Sequence, residues 1–124
     1  MADDRRVLVV DDDDDIREVL VAALREDGYA VREAGSGRQA LDILAAWPPD
    51  LILLDLMMPE MDGRAFRAGQ RERGLAAGAP LIVVSASRWA DDQARELGAV
   101  AGVAKPFDLL ALLALVQRTI DDRR

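Results

Sequence analysis

Three short apolar runs stop abruptly on hydrophilic side chains, and this punctuation constrains the fold more than any other feature of the chain. Residues 7–10 read Val-Leu-Val-Val and stop at five consecutive Asp; residues 51–54 read Leu-Ile-Leu-Leu and stop at Asp55; residues 81–84 read Leu-Ile-Val-Val and stop at Ser85. Uninterrupted runs of this length are what strands buried on both faces look like. Between them the period changes. From Ile16 the apolar residues recur at Val19, Leu20, Ala23 and Leu24, spacings of three and four that share one helical face, and Gly28 supplies the stop. A helix over 14–27 is expected. Residues 30–34 alternate weakly and read as a short strand; Gly35 and Gly37 form a turn, and a helix over 38–46 ends at Pro48 and Pro49. Pro59 and Gly63 mark a loop before a helix over 64–73. A helix over 91–97, a brief strand at 102–104 and an amphipathic helix over 109–120 complete five strand-helix units.

Strict alternation of this kind implies a parallel sheet with helices on both faces, because each parallel connection needs a right-handed crossover. The expected fold class is α/β, a doubly wound five-stranded parallel sheet flanked by five helices. Ligands of such sheets sit outside the carboxyl ends of the strands, near the point where strand order reverses. The residues that end the strands are therefore the candidates for function.

Bulk properties narrow the classes of activity. A chain of 124 residues buries one core, so a single domain over 1–124 is expected, with 121–124 as the start of a linker. Its formal charge of -7 and lack of any basic run argue against direct nucleic-acid binding. There is no Cys, no apolar stretch near membrane-spanning length, and Met1 to Arg6 lack a signal-peptide core, so a cytoplasmic protein with no membrane insertion is expected. His is absent too, which leaves carboxylates, hydroxyls and cations to carry any chemistry.

The strand ends supply those groups. Asp11 and Asp12 follow strand one, Asp55 strand three, Ser85 strand four, and Lys105-Pro106 strand five. Three carboxylates on one sheet edge would repel one another by several kcal/mol at an effective dielectric of about 20, so a bound cation is implied. Oxygen-only ligands indicate a hard divalent ion. Magnesium fits best, since it takes one or two carboxylates and keeps room for phosphate oxygens. Asp13, Asp14 and Asp15 are read instead as the cap and first turn of helix one. Taken alone, Asp11 and Asp12 would be read as caps as well; the company of Asp55, Ser85 and Lys105 makes them site residues. Lys105 is the chain's one Lys, all other basic positions being Arg. An ammonium suits a single oxygen in a tight pocket where a planar guanidinium would not fit. Its bond to Pro106 is expected to be cis or tightly turned.

The segments Val9-Val10-Asp11-Asp12, Leu53-Leu54-Asp55-Leu56-Met57-Met58-Pro59 with Met61-Asp62-Gly63, Val83-Val84-Ser85-Ala86 and Lys105-Pro106-Phe107 resemble the motifs of response-regulator receiver domains. The resemblance covers nearly the whole chain. It implies a flavodoxin-like fold, Asp55 as the acceptor of a phosphoryl group from a phosphohistidine, Asp12 as a direct magnesium ligand, Asp11 as its water-mediated helper and the Met57 carbonyl as a further ligand. Ser85 and Lys105 would bind the phosphoryl oxygens. A histidine kinase or histidine phosphotransfer protein would be the donor, and a downstream protein the recipient of the signal. The domain would catalyse its own phosphorylation and, by hydrolysis of the acyl phosphate, its own reset.

Two departures from the family pattern concern the step after phosphorylation. Receivers usually carry an aromatic residue three positions before the strand-five Lys; here that position is Gly102, which has no side chain to move. The segment between Ser85 and Gly98 is also shorter than is usual, and it holds Trp89, read either as cover for the short helix or as an exposed partner anchor. A receiver-like binding module that works without phosphorylation is therefore an alternative. A phosphatase of the haloacid dehalogenase kind is another, though its nucleophile would end strand one and leave Asp55 unexplained.

Overall fold

The computed structural model describes residues 5–58 and 60–122. Pro59 of the strand-three motif, Arg123 and Arg124 of the expected linker, and residues 1–4 of the polar N-terminus lie outside the described residues. Within them β1 (Arg6–Val10), α1 (Asp14–Glu26), β2 (Ala30–Ala34), α2 (Gly37–Ala46), β3 (Leu51–Asp55), α3 (Gly63–Glu72), β4 (Leu81–Ser85), α4 (Ala90–Glu96), β5 (Ala101–Ala104) and α5 (Leu109–Asp122) alternate in chain order. The expected elements are all present, and their ends move by one or two residues. The largest difference is at α5, which runs on through Asp121 and Asp122. These two residues are helical, and the Arg5 guanidinium holds the Asp121 carboxylate at 2.8 Å.

The strands form one sheet in the order β2-β1-β3-β4-β5, with every pairing parallel. Strand order reverses between β1 and β3, the switch point at which open α/β sheets bind ligands. Side chains alternate across the sheet. Leu8 and Val10 of β1, Ile52 and Leu54 of β3 and Val83 of β4 face the layer built from α2, α3 and α4, where Leu41, Leu44, Phe66, Ala94 and Leu97 cover them. Val7, Val9, Leu51, Leu53 and Ile82 face the opposite layer, covered by Leu20 and Leu24 of α1 and by Leu112, Val116 and Ile120 of α5. Burial on both faces explains why β1, β3 and β4 are apolar without interruption. At about 1.5–3 kcal/mol for each fully buried aliphatic side chain, these two layers supply the main drive to fold.

Helix starts follow the local chemistry. Asp13 caps α1, its Oδ1 accepting the Asp15 and Ile16 N–H groups at 3.0 and 3.1 Å, with Asp14 and Asp15 in the first turn. Ser36 caps α2 and Asp62 caps α3 in the same way. Gly28, at φ 96°, follows α1 and turns the chain back into β2. By contrast α4 starts after Trp89 with no side-chain cap. Its other end is held firmly, because the Leu97 carbonyl accepts from Arg67 Nε at 3.0 Å and Arg71 Nη2 at 2.9 Å.

Candidate functional site

The five-residue Asp run divides its labour by position. Asp11 follows the last residue of β1 and points into the sheet edge, 2 % exposed, while Asp12 is solvent-exposed and Asp13 caps α1. Two further contacts fix the Asp11 backbone. Its N–H donates to the Ala34 carbonyl at 3.1 Å, and its carbonyl accepts from Arg17 Nη1 at 2.7 Å. Arg17 is itself anchored by Asp14 at 2.6 Å and Glu33 at 2.9 Å.

Asp55 ends β3 beside it and is 4 % exposed. Its Oδ1 accepts the Met57 N–H at 3.1 Å, which fixes the carboxylate plane and leaves Oδ2 toward the cluster. Oxygens of Asp11, Asp12 and Asp55 lie within 4.8 Å of one another. Lys105 reaches the same point from the β5 edge: its Nζ is 2.9 Å from Asp11 Oδ2 and 3.7 Å from Asp55 Oδ2. The Lys105-Pro106 peptide is cis. The Lys105 N–H donates to the Ser85 carbonyl at 2.8 Å, so the ends of β4 and β5 are stitched together. Ser85 is fully buried, and its hydroxyl donates to Gln93 Oε1 at 3.3 Å while accepting the Ser87 N–H at 3.1 Å. Met57 has an exposed side chain and follows Asp55 closely in the loop that leaves β3.

The electrostatics follow from this packing. Burial first, then the Asp11 and Asp12 carboxylates, raise the Asp55 pKa to about 7, against the lowering effects of the Met57 N–H and of Lys105. Burial works against the charge on Lys105, but its hydrogen bond to Asp11 and the charges of Asp55 and Asp11 outweigh that and raise its pKa. Three carboxylates facing one ammonium leave the cluster short of positive charge. All the donors are oxygens, two of the carboxylates are buried and the third is open to solvent, a set that fits a hard divalent cation retaining some of its water.

Gln93 and Arg17 were not singled out in the sequence. Gln93 left a faint signal, since it is a polar residue on the α4 face whose other members, Ala90, Ala94 and Leu97, are buried. Trp89 is exposed, with the Arg88 guanidinium carbon 5.0 Å from its ring centre. Gly102 pairs with Val83 in the sheet, and the start of α4 is pressed against it.

Residues 7–117 match the family described as the response regulator receiver domain. The chain is 39 % identical over 123 residues to the response regulator MprA of Mycolicibacterium vanbaalenii, covering 94 % of this chain and 52 % of the relative. It is 38 % identical over 117 residues to the regulatory protein AtoC of Escherichia coli, covering 93 % of this chain and 25 % of the relative. The chain thus spans about half or less of the length of these curated relatives. Among solved structures, the Francisella response regulator 1452 receiver domain superposes with a TM-score of 0.87 at 27 % identity, covering 97 % of this chain and 99 % of that one. The response regulator TrrA of Thermotoga maritima, in complex with Mg(2+)-BeF, gives a TM-score of 0.81 at 30 % identity, covering 93 % and 98 % of the two chains.

Proposed function

Because the chain belongs to the response regulator receiver family, we propose that Asp55 accepts a phosphoryl group from a phosphohistidine, carried by a histidine kinase or a histidine phosphotransfer protein. The observation that carries this reading is the meeting of Asp11, Asp12, Asp55 and Lys105 at one sheet edge. In the transfer an Asp55 oxygen bonds to phosphorus as the bond from phosphorus to the donor imidazole nitrogen breaks, and the imidazole keeps that electron pair. Oδ2 is the oxygen read as the nucleophile, since Oδ1 accepts the Met57 N–H while Oδ2 faces the Lys105 ammonium at 3.7 Å. Such transfers depend on positioning and charge neutralisation more than on covalent assistance.

Asp11, Asp12, Asp55 and the Met57 carbonyl would hold a magnesium ion, which neutralises charge on the transferring oxygens when bound. The Lys105 ammonium, already directed at Asp11 and Asp55, takes one phosphoryl oxygen, and the Ser85 hydroxyl takes another. Attack of water on the acyl phosphate returns the free Asp55 carboxylate and inorganic phosphate, so the signal is timed by its own chemistry. No described helix is long and apolar enough to cross a membrane. We read the chain as one receiver domain working in the cytoplasm, its output passing to a protein partner rather than directly to nucleic acid. The test is transfer from a purified phosphohistidine protein to wild type and to Asp55→Ala, with and without magnesium. Magnesium-dependent labelling of wild type alone supports the reading, and labelling of both proteins overturns it.

A further inference from the structure

Every hydrogen-bonding group of Asp11 is engaged. Its N–H donates to the Ala34 carbonyl at 3.1 Å, its Oδ1 accepts the Asp13 N–H at 2.9 Å, and its Oδ2 accepts from Lys105 at 2.9 Å. Its carbonyl accepts from Arg17 Nη1 at 2.7 Å. The other two nitrogens of the same guanidinium are spent on anchors. Nε donates at 2.9 Å to Glu33, the residue before Ala34 in β2, and Nη2 donates at 2.6 Å to Asp14 in the first turn of α1. Arg17 thus joins α1, β2 and the end of β1 at one point, and the end of β2 grips Asp11 twice, through Ala34 directly and through Glu33 by way of Arg17.

The carbonyl that Arg17 holds belongs to the peptide that joins Asp11 to Asp12. A peptide is planar, so a donor fixed on its oxygen also fixes the direction in which the chain, and with it the Asp12 side chain, continues. Asp12 is the member of the carboxylate cluster that packing does not place: it is exposed, whereas Asp11 and Asp55 are buried. The guanidinium has little room to shift. A Cβ placed on Gly35, in the turn after β2, would lie 3.2 Å from Arg17 Nη1, so the side chain fills the gap between that turn and the end of β1. By charge alone Arg17 opposes a cation at the cluster, and its removal would also release the carboxylates of Asp14 and Glu33. Charge and positioning therefore predict opposite consequences of losing it.

We propose that Arg17 is a positioning residue for the acidic site: anchored on Glu33 and Asp14, it fixes the Asp11–Asp12 peptide and so the angle at which these two carboxylates meet a divalent cation. The proposal rests on the reading of Asp11, Asp12 and Asp55 as a magnesium site. Magnesium demands near-ideal octahedral geometry, whereas calcium accepts irregular coordination. A residue that sets ligand angles therefore matters more for magnesium than for calcium, while a residue that acts only through its charge affects the two divalent ions alike.

The experiment is an NMR titration of the full chain with magnesium chloride and, separately, with calcium chloride, on wild type, Arg17→Met and Arg17→Lys. Arg17→Met keeps the stem and removes every donor. Arg17→Lys keeps the charge, but one ammonium does not reproduce the planar fork that reaches three acceptors. Both variants bind magnesium about tenfold more weakly than wild type, the lower end of what outer-shell partners of a metal contribute, and both lose less affinity for calcium. Without metal, the Asp12 amide nitrogen resonance moves in both variants while the α4 and β5 amides stay in place, which a general loosening of the fold would not produce. A pure charge effect instead gives tighter binding in Arg17→Met, unchanged binding in Arg17→Lys, and the same factor for both ions. Magnesium affinity in Arg17→Lys equal to or above that of wild type overturns the proposal, and this variant decides even where Arg17→Met does not fold. Equal losses for magnesium and calcium overturn it too. Wild type that binds no magnesium overturns the metal-site reading and the proposal with it, and that control tells the two failures apart.

Discussion

Lys105 Nζ lies 2.9 Å from Asp11 Oδ2, an ion pair between residues 94 positions apart whose carboxylate partner is almost wholly buried. Both members directly follow parallel strands at opposite sides of β3, so the pair closes the acidic site across the strand that carries Asp55. Removing one partner of a buried pair leaves the other's charge uncompensated.

Lys105→Ala is therefore expected to destabilise the protein by about 2–4 kcal/mol at neutral pH. Urea denaturation checks this. The deficit is expected to shrink in acid, where Asp55 is protonated and no longer needs a cation, and also on adding magnesium. Lys105→Arg should recover stability only in part, because a planar guanidinium does not match the single-point geometry.

Asp55 sets a second expectation through pH. Its pKa in the folded protein, about 7, is above that of an unfolded Asp. Between the two values the folded state holds the proton more tightly than the unfolded state, so the Asp55 contribution to stability falls as pH rises through that window. Asp55→Asn, which removes the ionisation, should be more stable than wild type by a margin that grows from about pH 4 to about pH 7 and is flat above. Magnesium should narrow the margin. A pH-independent difference would contradict the buried, crowded environment assigned to this carboxylate.

The proposed metal site is tested at its exposed member. Asp12→Asn keeps size and polarity and removes one negative charge, and it should weaken magnesium binding by about tenfold or more, the scale on which even outer-shell partners act. Stability without metal should scarcely change, because Asp12 is solvent-exposed. Calorimetric titration and thermal unfolding read the two quantities separately.

Much of this architecture was legible in the sequence because parallel strands buried on both faces betray themselves as apolar runs, and β1, β3 and β4 do so cleanly. The strand ends were legible for a related reason: the residue that ends or follows a parallel strand lies at the carboxyl edge, which places Asp11, Asp55, Ser85 and Lys105 on one side of the sheet. Contacts that depend on the path of α4 were not legible. Gln93 meets Ser85 across eight residues of loop and helix, and no spacing rule connects them. Nor did the sequence give a reason for Gly102 beyond a missing aromatic ring. The reason is steric, since the Ala90 carbonyl occupies the place of its Cβ. The extension of α5 by two residues was not legible because Asp121 and Asp122 carry no apolar periodicity, and the pairing of Asp121 with Arg5 accompanies it.

That steric finding carries its own expectation. Gly102→Ala forces α4 and β5 apart and should cost about 1–3 kcal/mol, as overpacking does. The loss should appear as faster amide exchange in α4 and β5, with α1 and β2 unchanged. A neutral substitution would contradict the close seating of Ala90 on Gly102.

The most direct measurement of the central claim is chemical mapping of the phosphorylated carboxylate. The protein is treated with acetyl phosphate and magnesium, the acyl phosphate is reduced with borohydride, and the modified peptide is sequenced by mass spectrometry. Reduction converts a phosphorylated Asp to homoserine. The account predicts homoserine at position 55, none at positions 11 or 12, and none anywhere in Asp55→Asn; homoserine at Asp11 or Asp12, or equal modification of wild type and the variant, would contradict it.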